Sequence, residues 1–138
     1  MKNLPRVQLR IAGHDLRALV ARGARDRARG LMHCRTLGDD EGMLFVSGQP
    51  EAQSYWMKDT PLALSIAFID EDGTILQIED MAPLSHAATE SEHPVRHVLE
   101  VRQGWFAERG IRAGDRVTGP VFLGAAARGG GAASWQAA

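Results

Sequence analysis

Alternation is the first regularity along the chain. Val7, Leu9 and Ile11 are separated by Gln8 and Arg10, the period-two pattern of a half-buried strand. Gly13-His14-Asp15 interrupts it as a turn, and Leu16, Ala18 and Val20 resume it, so this stretch predicts a hairpin. Ala24 to His33 favours helix, with Ala28, Leu31 and Met32 on one stripe and arginines elsewhere. Gly30 inside that stretch costs about 1 kcal/mol relative to alanine, so it either allows close packing or ends the helix early. Leu37 to Glu41 reads as an acidic loop, Gly42 to Val46 as a short buried strand, and Ser47 to Pro50 as a polar turn. Ser54 to Asp59 alternates again, with Ser54, Trp56 and Lys58 on one face and Tyr55, Met57 and Asp59 on the other.

After the break at Thr60-Pro61, the strand Leu62 to Asp70 has two unlike sides. Leu62, Leu64, Ile66 and Phe68 are bulky; Ala63, Ser65 and Ala67, before Ile69, are small. Its small side invites close backbone approach or the floor of a cavity. Glu71-Asp72-Gly73 is a hairpin turn with glycine placed for a positive φ, and Thr74 to Asp80 returns as a strand. A polar loop from Met81 to Pro94 precedes the strand Val95 to Arg102. Gly104 to Arg109 reads as a short helix capped by Gly110, with Ile111 as the accompanying apolar contact. A turn at Arg112 to Asp115 leads to a last strand, Val117 to Leu123, which Pro120 confines to an edge or bulge. Seven or eight short strands with two short helices predict a mostly β, α+β domain over residues 1–123, a small closed or partly open β-barrel. Residues 124–138 read as a flexible Gly/Ala-rich tail.

Composition narrows the class. At 138 residues, with 44% apolar and 24% charged positions, the chain suits one domain with a core of its own. Cys34 is the single cysteine, which excludes an internal disulfide framework and a cysteine-cluster zinc site. No run of 18 apolar residues occurs, so no membrane association is expected. Met1 to Arg6 lacks secretory-signal features, so the expected location is cytoplasmic. The net charge of −1 divides into +7 over residues 1–36, −11 over 37–92 and +3 over 93–138. Such blocks suit either a basic patch or complementary parts of one fold. With no overall basicity and no aromatics among the arginines, nucleic acid is not an expected partner.

The order of segments then matches a known pattern. Arg29-Gly30-Leu31-Met32, Gly42-Met43-Leu44-Phe45, Trp56-Met57-Lys58-Asp59-Thr60, Ile66-Ala67-Phe68-Ile69 with Gly73, Leu99-Glu100, and Gly110-Ile111 with Gly114-Asp115 resemble the DUF192 family. The resemblance spans roughly residues 7–123. It implies a small, β-rich, barrel-like domain of bacterial and archaeal proteins, many of them exported, and no established reaction. The chain departs from the pattern twice. Asp59 stands where the family reads asparagine, and Ser65 where it usually carries aspartate.

Candidate chemistry centres on Arg29, Trp56, Lys58, Thr60 and Glu100. Trp56 and Lys58 on one face would join a stacking surface to a cation, and Arg29 would add a planar fork for carboxylate or phosphate. Glu100, on a mostly apolar strand, calls for a cationic partner, with Arg29 or Lys58 the obvious choices. The plainer alternative is a structural ion pair with Trp56 in the core. His86, Glu90, Glu92, His93 and His97 cluster in sequence, but Pro94 denies His93 and His97 the helix that would align them, so no metal is expected. Cys34, between His33 and Arg35, has no resolving cysteine, and Met32, Met43 and Met57 sit in apolar motifs where packing accounts for them. No cofactor motif occurs. These residues favour a non-enzymatic module binding a small ligand, a carbohydrate or an anion, or a protein partner. The alternatives are an enzyme with Lys58 and Glu100 as an acid–base pair, and a pocketless interaction domain. Oligomeric state is open.

Overall fold

The N-terminal hairpin forms as its alternation predicts. Strands β1 (Arg6–Ile11) and β2 (His14–Ala21) pair antiparallel, from Arg6 opposite Leu19 to Ile11 opposite His14. Ala12 and Gly13 turn between them with φ of 49° and 86°, the doubly positive geometry that two-residue hairpins favour. The computed structural model describes residues 3–122; the Gly/Ala-rich stretch 124–138 lies outside the described residues. After α1 (Ala24–Arg29) the chain continues through β3 (Glu41–Glu51), β4 (Ser54–Tyr55), β5 (Leu64–Ile69), β6 (Ile75–Met81), β7 (Thr89–Glu90) and β8 (Val95–Arg102). It ends in α2 (Trp105–Glu108), β9 (Val117–Thr118) and a 3₁₀ turn, Pro120–Phe122.

Seven strands form one sheet in the order β6-β5-β8-β3-β2-β1-β9, and β4 pairs with β7 beside it. The β2–β3 pair is parallel, with α1 in the crossover; the other pairs are antiparallel. The sheet curls so that its ends meet. Thr74 bridges Arg116, and the Ile75, Gly114 and Val117 amides donate to Asp115, Ile75 and Gly73 carbonyls at 2.7–2.8 Å. The mostly β fold is thus a half-barrel, joined where β6 begins and β9 begins.

Curling gives the sheet apolar cover on both sides. One face carries Leu9, Leu16, Val20, Leu44, Ala67 and Leu99, with Trp105 and Phe106 of α2 packed on them. The other carries Met43, Phe45, Leu64, Ile66, Phe68 and Val98, covered by Leu31, Met57 and Met81. All six residues of β5 are buried for this reason. Its small side permits the expected backbone approach: Gln103 N–H donates to Ala63 O at 3.0 Å, and Gly104 N–H to Ser65 Oγ at 3.3 Å. α2 ends as read, with Gly110 at φ 69° and Ile111 buried.

Four local expectations are corrected. α1 stops at Arg29 because Gly30 takes φ 49°, and none of its residues is buried, so the Ala28 stripe does not form. Leu31 reaches the core from beyond the helix instead. Ser47 to Pro50 is not a turn but a continuation of β3, irregular between Val46 and Glu51. Strand geometry after Ser54 lasts only to Tyr55, because Thr60 N–H folds back onto Met57 O at 3.1 Å. The segment after Thr118 becomes a 3₁₀ turn at Pro120, whose ring has no N–H for the ladder.

Gly73 lies where the sheet ends join. Its φ is 94°, and a Cβ there would stand 2.2 Å from Val117 O. Gly73→Ala is expected to lower stability by on the order of 3 kcal/mol, through left-handed strain and loss of the closing hydrogen bond. Urea unfolding measures this, with Gly48→Ala as the comparison. Gly48 has open space around its Cβ position, so its change should stay within about 0.5 kcal/mol.

Candidate functional site

A cleft of about 600 Å³ opens on the β3–β5–β8 face, between α1 with residues 30–32 and the segment from Glu51 to Thr60. Its apolar walls are Leu31, Met32, Phe45, Met57 and Leu64. Arg29, Trp56, Thr60 and Glu100 also line it, so four of the five sequence candidates converge although 71 positions separate the first from the last. Lys58, the fifth, is not among the residues that line it; its ammonium stands 5.5 Å from the Trp56 ring centroid. The indole–cation pairing expected from alternation therefore exists, though a turn makes it. The cavity opens on the bulky side of β5, through Leu64, rather than on the small side.

Glu100 occupies the floor. Register places it between Met43 of β3 and Ile66 of β5, both completely buried. The side chain is 4% exposed, and among the described residues no ion pair or hydrogen bond reaches its carboxyl. The expected pairing with Arg29 or Lys58 is thus absent. With no cation to favour the ionised form, burial pushes the Glu100 carboxyl up to about 8.

The lip is held by backbone contacts. Asp59 adopts φ 55°, the left-handed region that asparagine and aspartate enter most easily among non-glycine residues, and its carbonyl accepts from His33 N–H at 2.7 Å. The conformation gives a physical reason for the asparagine of the family pattern. Thr60 O accepts from Leu84 N–H, and Ser85 O from Met57 N–H, tying the turn to the following loop. Trp56 is left 48% exposed, its ring 5.3 Å from that of His86. Ser65 lies elsewhere, buried and donating to Asp80 Oδ1 at 2.8 Å.

Several cleft residues were not legible in the sequence. Gln53 is 7% exposed and donates to Ser47 Oγ at 3.1 Å and Val95 O at 2.9 Å. Tyr55 donates to Gln53 Oε1 at 3.3 Å, and Arg27 donates to Ser47 Oγ at 3.3 Å and Arg22 O at 3.1 Å. Burial, then the neighbouring Glu100 charge, pushes the Tyr55 hydroxyl well above its ordinary value, against a smaller opposite pull from Arg27. The placement of Tyr55 opposite Trp56 was the available signal; Gln53 and Arg27 belong to no periodic pattern.

The remaining candidates disperse. His86 is against Trp56, His97 packs on Phe122 with ring centroids 4.7 Å apart, and no three metal-binding side chains group together among the described residues. Cys34 donates to Thr36 O at 3.1 Å beside a second, smaller hollow. Met43 and Met57 are buried in the core of the cleft face. No described helix is long and apolar enough to cross a membrane.

A curled β domain with one face opened by a cleft is the class these features define. The chain belongs to the DUF192 family, described as "Uncharacterized ACR", whose model matches residues 7–119. It is similar over 86% of its length to a Sinorhizobium meliloti protein provisionally described as a transcription regulator, with 37% identity, a TM-score of 0.83 and 96% of that chain covered. A Novosphingobium aromaticivorans protein described as of unknown function matches at 32% identity and TM-score 0.77, over 83% of this chain and 84% of that one. The curated proteins contain no match.

Glu100 sets a pH signature for the fold. Its carboxyl holds a proton in the folded state up to about 8, against 4.5 for the ordinary value, so ionisation opposes folding. Between those limits the folded state binds the extra proton, and stability falls as pH rises, by about 1.4 kcal/mol per unit. His97, lowered to about 4 chiefly by burial, acts oppositely below 6.5, so wild type and Glu100→Gln must be compared at each pH. The stability difference, Glu100→Gln minus wild type, is expected to grow steadily from pH 5 to 8 and then level. Urea titrations across that range check it; a flat difference would mean an ordinary, solvated carboxyl.

Proposed function

We propose that the chain is a non-enzymatic binding module whose cleft takes a small polar ligand of the carbohydrate or anion class. The observation that carries this reading is Glu100, a buried carboxyl without a partner among the described residues on the floor of an open cleft. Placing a carboxyl so deep with no hydrogen bond from the surrounding protein costs stability, and apolar packing would avoid that cost. Strongly shifted carboxyls in clefts are accordingly candidates for function. Trp56 at the lip supports the carbohydrate side of the reading, since a half-exposed indole offers a flat face for stacking on a sugar ring. Arg29, exposed and without an ion pair among the described residues, supports the anion side.

Two geometric facts weigh against the alternatives. Proton exchange between Lys58 and Glu100 needs hydrogen-bond reach, and Lys58 is outside the cleft with no salt bridge to Glu100. A pocketless domain would have no use for a hollow of about 600 Å³, within the size range of small-molecule sites.

A thermal-shift panel of sugars and small anions tests the reading. A ligand at a hundred times its Kd adds about 2.7 kcal/mol, which raises Tm by several degrees in a domain of this size. Trp56→Ala or Arg29→Ala is expected to abolish most of that rise, while Lys58→Ala retains it. A panel in which no compound moves the wild-type Tm overturns the proposal.

A further inference from the structure

We propose that the ligand is a small zwitterion, with an ammonium group on Glu100 at the floor of the cleft and an anionic group on Arg29 at its mouth. This rests on the cleft being a binding site and goes further, because it assigns charge to both ends of the occupant.

The floor lacks donors. Among the lining side chains with donors, Tyr55 donates to Gln53, Thr60 to Lys58 O at 3.1 Å, and Gln53 to Ser47 and Val95, while none of Ser54, Trp56 and Arg29 donates to Glu100. Arg27 is committed to Ser47 and Arg22 O. Met43, Ile66, Phe45 and Leu64 supply no polar atoms. The Glu100 carboxyl therefore faces the hollow with its hydrogen-bonding capacity unused by the described residues, and once ionised it offers acceptors alone, so a ligand must bring the donors. An ammonium brings three donors and the missing countercharge together, where a hydroxyl brings one donor and no charge.

The mouth is the reverse. Arg29 lies in the last turn of α1, exposed, and its guanidinium donors have no acceptor among the described residues. A ligand carrying only negative charge would find a single O–H donor and no countercharge at the bottom; one carrying only positive charge would leave the arginine fork empty and repelling. Opposite charges on one small molecule satisfy both ends.

Protons make the first half observable. Of the titratable groups, Tyr55 of β4 senses the Glu100 charge and is itself flanked by Arg27 of α1 and Glu51 of β3; all three line the cleft with Arg29, and no charged group acts on Glu100 as strongly as its burial does. Burial holds the Glu100 carboxyl protonated at neutral pH in the empty cleft. An arriving ammonium keeps its own protons and favours the carboxylate, so the Glu100 proton passes to buffer on binding.

Four sugars form the test: glucose, glucosamine, glucose 6-phosphate and glucosamine 6-phosphate, titrated calorimetrically at pH 6.5 in two buffers of different ionisation heat. Glucosamine 6-phosphate is expected to bind at least ten-fold more tightly than either singly charged sugar, with proton release. Glu100→Gln should remove the amine's advantage and the proton release but keep the phosphate's advantage; Arg29→Ala should do the opposite. Both variants are checked for wild-type circular dichroism and cooperative unfolding. An amine that gives no advantage, or whose advantage persists in Glu100→Gln, overturns the inference. If all four sugars are silent while other sugars or anions raise Tm, the zwitterion falls and the binding reading stands; silence across both experiments sinks the two together.

Discussion

Strands β5 and β8 are covered on both faces, and the cleft depends on that constraint. In a sheet with one solvated side, a glutamate on β8 would point into water and its ionisation would be unremarkable. Here the curl and the elements packed outside it leave β8 no wet side along its middle, from His97 to Val101. Glu100 is pinned further by β3. A Cβ on Gly42 would stand 2.8 Å from Glu100 O, so glycine lets the two backbones press together beside the carboxyl. Met43 and Ile66 then close both flanks, and the hollow beneath α1 is the direction left open to the side chain.

The walls of that hollow are set by backbone contacts more than by helix packing. α1 contributes no buried residue, yet Gly30 turns the chain so that Leu31 drops onto Met43 and Phe45. A Cβ at Gly30 would lie 3.4 Å from the Phe45 ring, which shows how near the chain passes. Across the cleft, the His33–Asp59 hydrogen bond ties the two lips to each other. A site bounded by short, hydrogen-bonded turns is held in shape before any ligand arrives, which reduces the ordering that binding must impose.

Period-two alternation made the first hairpin and β8 legible because the faces of those strands differ or their apolar runs are long. The Gly110–Ile111 cap of α2 was legible because its chemistry is local. What failed has tertiary causes. The Ala28 stripe suggested a buried helix face, but a left-handed Gly30 ends the helix before that face can pack. Trp56 and Lys58 alternate as in a strand, whereas a Met57–Thr60 hydrogen bond bends them into a turn and carries Lys58 out of the hollow. For Glu100, sequence identified burial correctly and supplied a counter-ion, Arg29 or Lys58, with which no salt bridge forms. Whether Arg29 reaches it is a matter of three-dimensional separation, and nothing in a linear pattern encodes that distance. Gln53 and Arg27 stayed hidden for a related reason: their partners Ser47, Val95 and Arg22 belong to other elements or to backbone.

β8 also offers an internal comparison. His97 and Glu100 are buried three positions apart, and burial drives both toward neutrality, the imidazole downward to about 4 and the carboxyl upward to about 8. The middle of the strand therefore carries no charge near neutral pH, which is what a doubly covered sheet requires. The two residues differ in what lies opposite. His97 meets the Phe122 ring, its buried Nδ1 has no partner among the described residues, Arg96 and Arg22 add to its neutrality, and it lines neither hollow. Glu100 meets open space, and none of the described side chains that line it donates to the carboxyl. A neutral group held against solid packing is a structural accommodation. The same group held against a cavity is a latent charge that an arriving cation can call out, and for that difference we place the proposed site on the carboxyl rather than on the imidazole.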